Sequence, residues 1–128
     1  MKFLFDSHAL VWFLKGDERF PRLLRRRLES EDTQFVISAA CVWEMATKVR
    51  RGKWPEAGPV LDNLTAVLAS SIYTPLPISI EHARVAGLFA WRHQDPFDRI
   101  LAAQSQIEAI TLVTADPVFR DFGTAVMW

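Results

Sequence analysis

The 128-residue chain has one cysteine, Cys41. A lone thiol forms no internal disulfide, so a reducing, cytoplasmic setting is expected. Histidine is also scarce. His8, His82 and His93 are scattered, and a structural zinc site needs several Cys or His ligands at short spacing. Net charge is missing too, at formally zero. The chain therefore lacks the strongly basic character of many nucleic-acid-binding domains, although local patches matter more than the sum. No stretch approaches ~20 apolar residues, so no membrane span is expected. The opening segment is apolar, but Asp6 and His8 interrupt it. A signal peptide has an unbroken apolar core, so this segment reads as part of the fold. There is no repeat, low-complexity tract or linker.

Half of the residues are apolar, enough for a real core, and the length suits a single domain spanning 1–128. Short apolar runs at Lys2–Phe5, Phe35–Ile37, Thr111–Thr114 and Ala125–Met127 read as strands, with a weaker one at Tyr73–Leu76. Helices are expected over Ser7–Lys15, Pro21–Glu29, Ala39–Arg50, Val60–Ser70, Ser79–Trp91, Pro96–Ala109 and Pro117–Phe122. Gly16 and Gly123 close two of them, and Ser38 and Ser79 cap two others. Residues 52–59 read as a loop. Strands alternating with helices predict an α/β domain with a mainly parallel sheet. In such folds, sites lie outside the carboxyl ends of the strands.

Four acids fall where that rule places chemistry. Asp6 directly follows the first strand. Glu44 lies about two turns into the helix after the second. Asp98 opens the helix from Pro96, and Asp116 follows Leu112-Val113-Thr114. Each also has a structural role available. Asp6 and Asp116 can cap helices, and Glu44 can pair with Lys48 at i,i+4. Asp98 suits the first turn of a helix, with Asp95 as its cap. If the strands are parallel, the four converge on one edge. They would then repel and raise each other's pKa unless a cation neutralised them. Oxygen-only ligands favour Mg²⁺ or Mn²⁺ over zinc.

The blocks Phe3-Leu4-Phe5-Asp6-Ser7-His8-Ala9-Leu10-Val11-Trp12, Ser38-Ala39-Ala40-Cys41-Val42-Trp43-Glu44-Met45-Ala46, His93-Gln94-Asp95-Pro96-Phe97-Asp98-Arg99-Ile100-Leu101-Ala102-Ala103-Gln104 and Leu112-Val113-Thr114-Ala115-Asp116 occur in this order along nearly the whole chain. Together with the closing Val126-Met127-Trp128, they resemble a PIN domain, specifically the VapC-type toxins of prokaryotic toxin–antitoxin pairs. The resemblance implies a three-layer α/β/α fold with a parallel sheet of about five strands. It implies divalent-metal-dependent endoribonuclease activity, a VapB-type antitoxin partner and a homodimer. Asp6, Glu44, Asp98 and Asp116 match the family's acids, which implies that they are catalytic and hold Mg²⁺ or Mn²⁺. Ser7 stands where the family commonly has Thr, and Thr114 matches a small hydroxyl residue near the last acid. Asp95 belongs to the motif but reads as the cap that presents Asp98.

RNA has to be held by its backbone. Two basic clusters are candidates: Arg22, Arg25, Arg26 and Arg27, and Lys48, Arg50, Arg51 and Lys53. Both are equally readable as solvated faces. The histidines make poor catalytic candidates, and the tryptophans are more often core than base-stacking platforms. Two rival functions remain. An aspartyl-nucleophile phosphotransferase of the haloacid-dehalogenase type would want a second Asp two residues after Asp6, where His8 stands. A PIN-like module that binds RNA or protein without cutting would be expected to have lost acids that are all present here.

Overall fold

The structure is a computed structural model that describes residues 1–30 and 32–128. Its strands are β1 (Lys2–Phe5), β2 (Gln34–Ser38), β3 (Tyr73–Leu76), β4 (Thr111–Val113) and β5 (Val126–Met127). They form one sheet in the order β3-β2-β1-β4-β5, and every pairing is parallel. The helices are α1 (Ser7–Lys15), α2 (Arg22–Leu28), α3 (Ala39–Arg50), α4 (Gly58–Asp62), α5 (Leu64–Ala69), α6 (Ile80–Leu88), α7 (Pro96–Glu108) and α8 (Val118–Asp121). Among the described residues, no helix is long and apolar enough to cross a membrane.

β1 is the central strand, and its sequence explains why. Successive strand residues face opposite sides of a sheet. Leu4 and Phe5 are both fully buried, so β1 is covered on both faces, as its unbroken apolar run requires. Leu112 and Val113 repeat the pattern in β4. At the edge, β3 carries Pro75, which a strand tolerates where its missing N–H needs no partner. A cluster of Phe5, Phe13, Phe20 and Phe35 fills the core beneath α1, with ring centroids 5.0–6.4 Å apart. From β1 the chain steps outward to β2 and β3, then returns to the other side of β1 to make β4 and β5. The direction of winding therefore reverses between β1 and β4, the kind of point where open parallel sheets leave a crevice.

The caps also position the site. Asp6 caps α1 through the Ala9 amide at 2.7 Å, and Gly16 closes it at φ 66°, a left-handed turn that costs glycine little. Ser38 caps α3. Its hydroxyl also donates to Gln104 Oε1 at 2.5 Å, while Gln104 Nε2 donates to the Pro77 carbonyl at 3.3 Å. The fully buried Gln104 thus ties α7 to the ends of β2 and β3.

Three expected boundaries move. The helix expected over Val60–Ser70 is two helices, divided at Asn63 (φ −97°, ψ 6°). The loop expected over 52–59 contains a 3-10 turn at Pro55–Ala57 and the first residues of α4. The helix expected to reach Trp91 stops at Leu88, where Phe89 turns extended. There a tertiary contact overrides helical propensity. The Arg99 guanidinium donates to the carbonyls of Ala86, Gly87, Phe89, Trp91 and His93. Those of Ala86 and Gly87 are acceptors that another helical turn would have used.

Ala109 ends α7 at φ 53°, a left-handed conformation that strains a residue bearing a Cβ. Ala109→Gly is expected to raise stability by about 0.5–1 kcal/mol, read as a higher denaturant midpoint at unchanged slope. An unchanged or lower midpoint would show that this turn carries no strain.

Candidate active site

All strands run the same way, so the residues that follow them share one edge. A cleft of about 340 Å³ opens there. Its lining includes Asp6, Glu44, Asp98 and Asp116, together with Ser7, Asp95 and Lys48. Four acids from four separated stretches of chain therefore meet in one concavity. A second groove, lined by Ile37, Val42, Trp43, Leu68, Leu76 and others, contains no titratable side chain.

Asp6 is buried, only 9% exposed. Oδ1 caps α1, and Oδ2 accepts from the Thr114 hydroxyl just past β4. The same hydroxyl oxygen accepts from the Asp116 amide at 3.0 Å. Thr114 thus couples the first and last acids across the β1–β4 boundary. Asp116 is exposed and accepts from the Val118 amide through Oδ1 at 3.0 Å.

Glu44 is buried on α3. The Ser7 hydroxyl donates to its Oε1 at 2.5 Å, and Lys48 Nζ donates to its Oε2 at 2.8 Å. The i,i+4 pair expected from the sequence therefore forms, but inside the cleft rather than on an open surface. Asp98 is half-buried. Its amide donates to the Asp95 side chain at 3.0 Å, so Asp95 is the α7 cap. Its Oδ2 lies 2.7 Å from His93 Nε2.

His93 is a site residue that sequence reasoning missed. It stands five positions before Asp98 on irregular chain, with no periodic spacing to mark it. What delivers it is the Arg99 guanidinium, which holds the His93 carbonyl at 2.9 Å. His8 and Trp12 also line the cleft. Their spacing of four on the helix that starts after Asp6 was a signal available in the sequence.

The basic clusters divide. Lys48 lines the cleft, whereas Arg50, at the end of α3, and Arg51 and Lys53 beyond it are exposed and do not line it. None of Arg22, Arg25, Arg26 and Arg27 lines it either. Arg22, Arg26 and Arg27 are exposed. Arg25 is structural: its guanidinium donates to the Phe13 carbonyl at 3.0 Å at the end of α1 and lies 4.5 Å over the Phe13 ring. Cys41 is buried, and its thiol donates to the Phe5 carbonyl at 3.2 Å. Burial pushes that thiol's pKa up, which leaves it an unreactive packing group.

Electrostatics match the crowding. Asp6 is raised to about 6, chiefly by burial and further by the charges of Asp98 and Glu44, against the opposing hydrogen bonds from Thr114 and Ala9. Asp98 is also raised to about 6, again mainly by burial and then by Asp95 and Glu44, with the His93 contact opposing. Oxygen-only donors carrying uncompensated negative charge suit a hard divalent cation. Among the described residues, no three His, Cys, Asp or Glu groups already stand together at ligating distance. Lys48 and His93 instead occupy oxygens of Glu44 and Asp98. The donor chemistry therefore fits, and a cation would compete with these two side chains.

Because Asp6 binds its proton more tightly in the folded chain than in the unfolded one, its ionisation destabilises the fold as pH rises from about 4 to about 6. Asp6→Asn keeps an oxygen for the Ala9 amide, reverses the Thr114 bond so that the new amide donates to the hydroxyl, and removes that ionisation. In chelator, the variant's stability relative to the parent should grow between pH 4 and pH 7, on the order of 2 kcal/mol. Denaturant titrations at both pH values measure it, and a pH-independent difference would contradict the assignment.

No curated protein sequence matches the chain. Among solved structures, FitAcB from Neisseria gonorrhoeae is similar at 20% identity and a TM-score of 0.70, covering 98% of this chain and 96% of that one. VapBC2 from Rickettsia felis, bound to a DNA fragment from its promoter, is similar at 16% identity and a TM-score of 0.69, covering 99% and 98%. Mycobacterium tuberculosis VapC20, a Sarcin-Ricin loop cleaving toxin, is similar at 15% identity and a TM-score of 0.68, covering 96% of each. Likeness at these identities speaks to the fold. The family model for the PIN domain matches residues 3–124, and the chain belongs to the PIN domain family.

Proposed function

We propose that this protein is the toxin of a VapC-type toxin–antitoxin pair, a Mg²⁺- or Mn²⁺-dependent endoribonuclease that hydrolyses RNA phosphodiester bonds. The observation that carries this reading is the convergence of Asp6, Glu44, Asp98 and Asp116 in one cleft at the carboxyl edge of a parallel sheet. The structural neighbours lend support: they include a toxin–antitoxin complex from Klebsiella pneumoniae and a toxin that cleaves the Sarcin-Ricin loop.

In this reading the four acids hold one or two divalent cations. When bound, a cation there supplies Lewis-acid stabilisation of phosphate charge and a water acidic enough to attack phosphorus. The chain's own groups do the rest. Thr114 fixes the carboxylate plane of Asp6, and Ser7 that of Glu44. Such hydroxyl contacts keep ligand oxygens aimed without adding charge. His93 steers Asp98 through the oxygen it holds. Lys48 balances Glu44 before substrate arrives and can turn its ammonium to a phosphate oxygen once it does. Asp95 is the α7 cap that presents Asp98.

The cell biology follows the family. The partner is a VapB-type antitoxin that occludes the acidic cleft, and a basic side chain reaching the carboxylates would inhibit. The toxin acts in the cytoplasm as a homodimer. Single-stranded loops are the structural class of RNA target, because their bases are accessible.

Asp6→Asn is expected to abolish Mg²⁺- or Mn²⁺-dependent cleavage of labelled RNA while leaving the circular dichroism spectrum unchanged. Cleavage retained in a clean preparation would defeat the assignment. RNA binding without cleavage at any divalent concentration would favour the non-cutting module instead. If Lys48 meets phosphate, Lys48→Met should weaken RNA binding and flatten its salt dependence by about one charge. Equal salt slopes for parent and variant would remove Lys48 from that role.

A further inference from the structure

Beside the acids, the cleft has an aromatic wall that metal-assisted hydrolysis does not use. His8 and Trp12 both line the cleft, and their spacing of four on α1 puts them on one face of the helix. The His8 ring is exposed, yet it stacks on Trp54 at 4.3 Å with 24° between the planes. Trp54 is itself only 7% exposed, so His8 has a rigid backing. Trp12 is half-buried. It lies 5.8 Å from His8 and 5.9 Å from Trp128, with the Arg19 guanidinium 5.1 Å from its ring centre.

One ring, His8, is left open at the lip of a polar cleft, and a second, Trp12, is braced beside it. Because neighbours already hold both rings, a planar ligand would lose little further conformational entropy by stacking on them. Lys48 joins the wall to the acids: its Nζ is 2.8 Å from Glu44 and 5.7 Å from the centre of the Trp54 ring. At ~1.5 Å of rise per residue, Trp12 is about 9 Å along the helix from Asp6, roughly one nucleotide from the carboxylates.

We propose that His8 and Trp12, braced by Trp54 and Trp128, form a stacking subsite for one unpaired nucleobase of the RNA, adjacent to the phosphate that meets the acids. This rests on the ribonuclease reading. Every base has a π-face, so the subsite discriminates by strandedness rather than by sequence. A base still stacked within a duplex cannot enter it, which selects loops over A-form helix.

The experiment measures binding of a short fluorescent single-stranded RNA to the Asp6→Asn protein by anisotropy, with an abasic nucleotide walked along the oligonucleotide. One abasic position should weaken binding about tenfold or more. Added to Asp6→Asn, His8→Ala and Trp12→Leu should each weaken the intact RNA to a similar degree and shrink the abasic penalty, whereas Trp12→Phe should retain it. His8 is exposed, so His8→Ala decides the question even if Trp12→Leu fails to fold. An abasic penalty undiminished in His8→Ala and Trp12→Leu overturns the subsite while leaving the ribonuclease reading intact. The opposite split is a parent protein that never cuts RNA but shows the same abasic pattern, which removes the ribonuclease and keeps the subsite. No binding to any RNA overturns both.

Discussion

The Asp6 carboxylate sits between β1 and β4 with both oxygens engaged, one by the Ala9 amide and one by the Thr114 hydroxyl. This pair of contacts starts α1, joins the first acid to the last across the sheet, and keeps a carboxylate in a place that disfavours its charge. Most of the cleft follows from it. Ser7, next along the chain, reaches Glu44. Thr114 receives the Asp116 amide. A parallel sheet sends every strand's end to the same edge, so acids placed after strands have to meet, and their repulsion is built into the topology.

The protein engages two of the acids with side chains of its own. Lys48 stands on Glu44, and His93 stands on Asp98. The second arrangement is made from a distance. Arg99 gathers carbonyls from the end of α6 and from the irregular chain after it, and so fixes the segment that brings His93 to Asp98. One residue of a helix thereby sets the length of the preceding helix, the path of a connection and the environment of the neighbouring acid. The buried Gln104 does comparable work about one and a half turns further along α7, linking it to the carboxyl ends of β2 and β3.

Much of the frame was legible in local pattern. The apolar runs became strands, Gly16 and Ser38 ended and began helices where turn chemistry places them, and Asp95 caps α7. One boundary moved through a local change of backbone, at Asn63, which divides a helix expected to be continuous; another moved through a long-range contact, since α6 stops where Arg99 takes its carbonyls. The basic clusters looked alike as strings of charge, yet Arg25 is committed to α1 carbonyls and the Phe13 ring, while Lys48 faces the acids. Charge spacing along a helix does not say which surface that helix will face.

By itself the sequence determined the alternation of strands and helices, the family blocks that carry the four acids, and the hydroxyls of Ser7 and Thr114 beside them. These are local matters of periodicity, capping and short motifs, and they survive any arrangement of the elements. Only the tertiary structure decided that the acids share one cleft, that Glu44 is buried against Ser7 and Lys48, that His93 meets Asp98, and that His8 and Trp12 line the same cleft. Those facts depend on strand order and on contacts between residues tens of positions apart, where the energy lies in burial and convergence rather than in any residue's own preference.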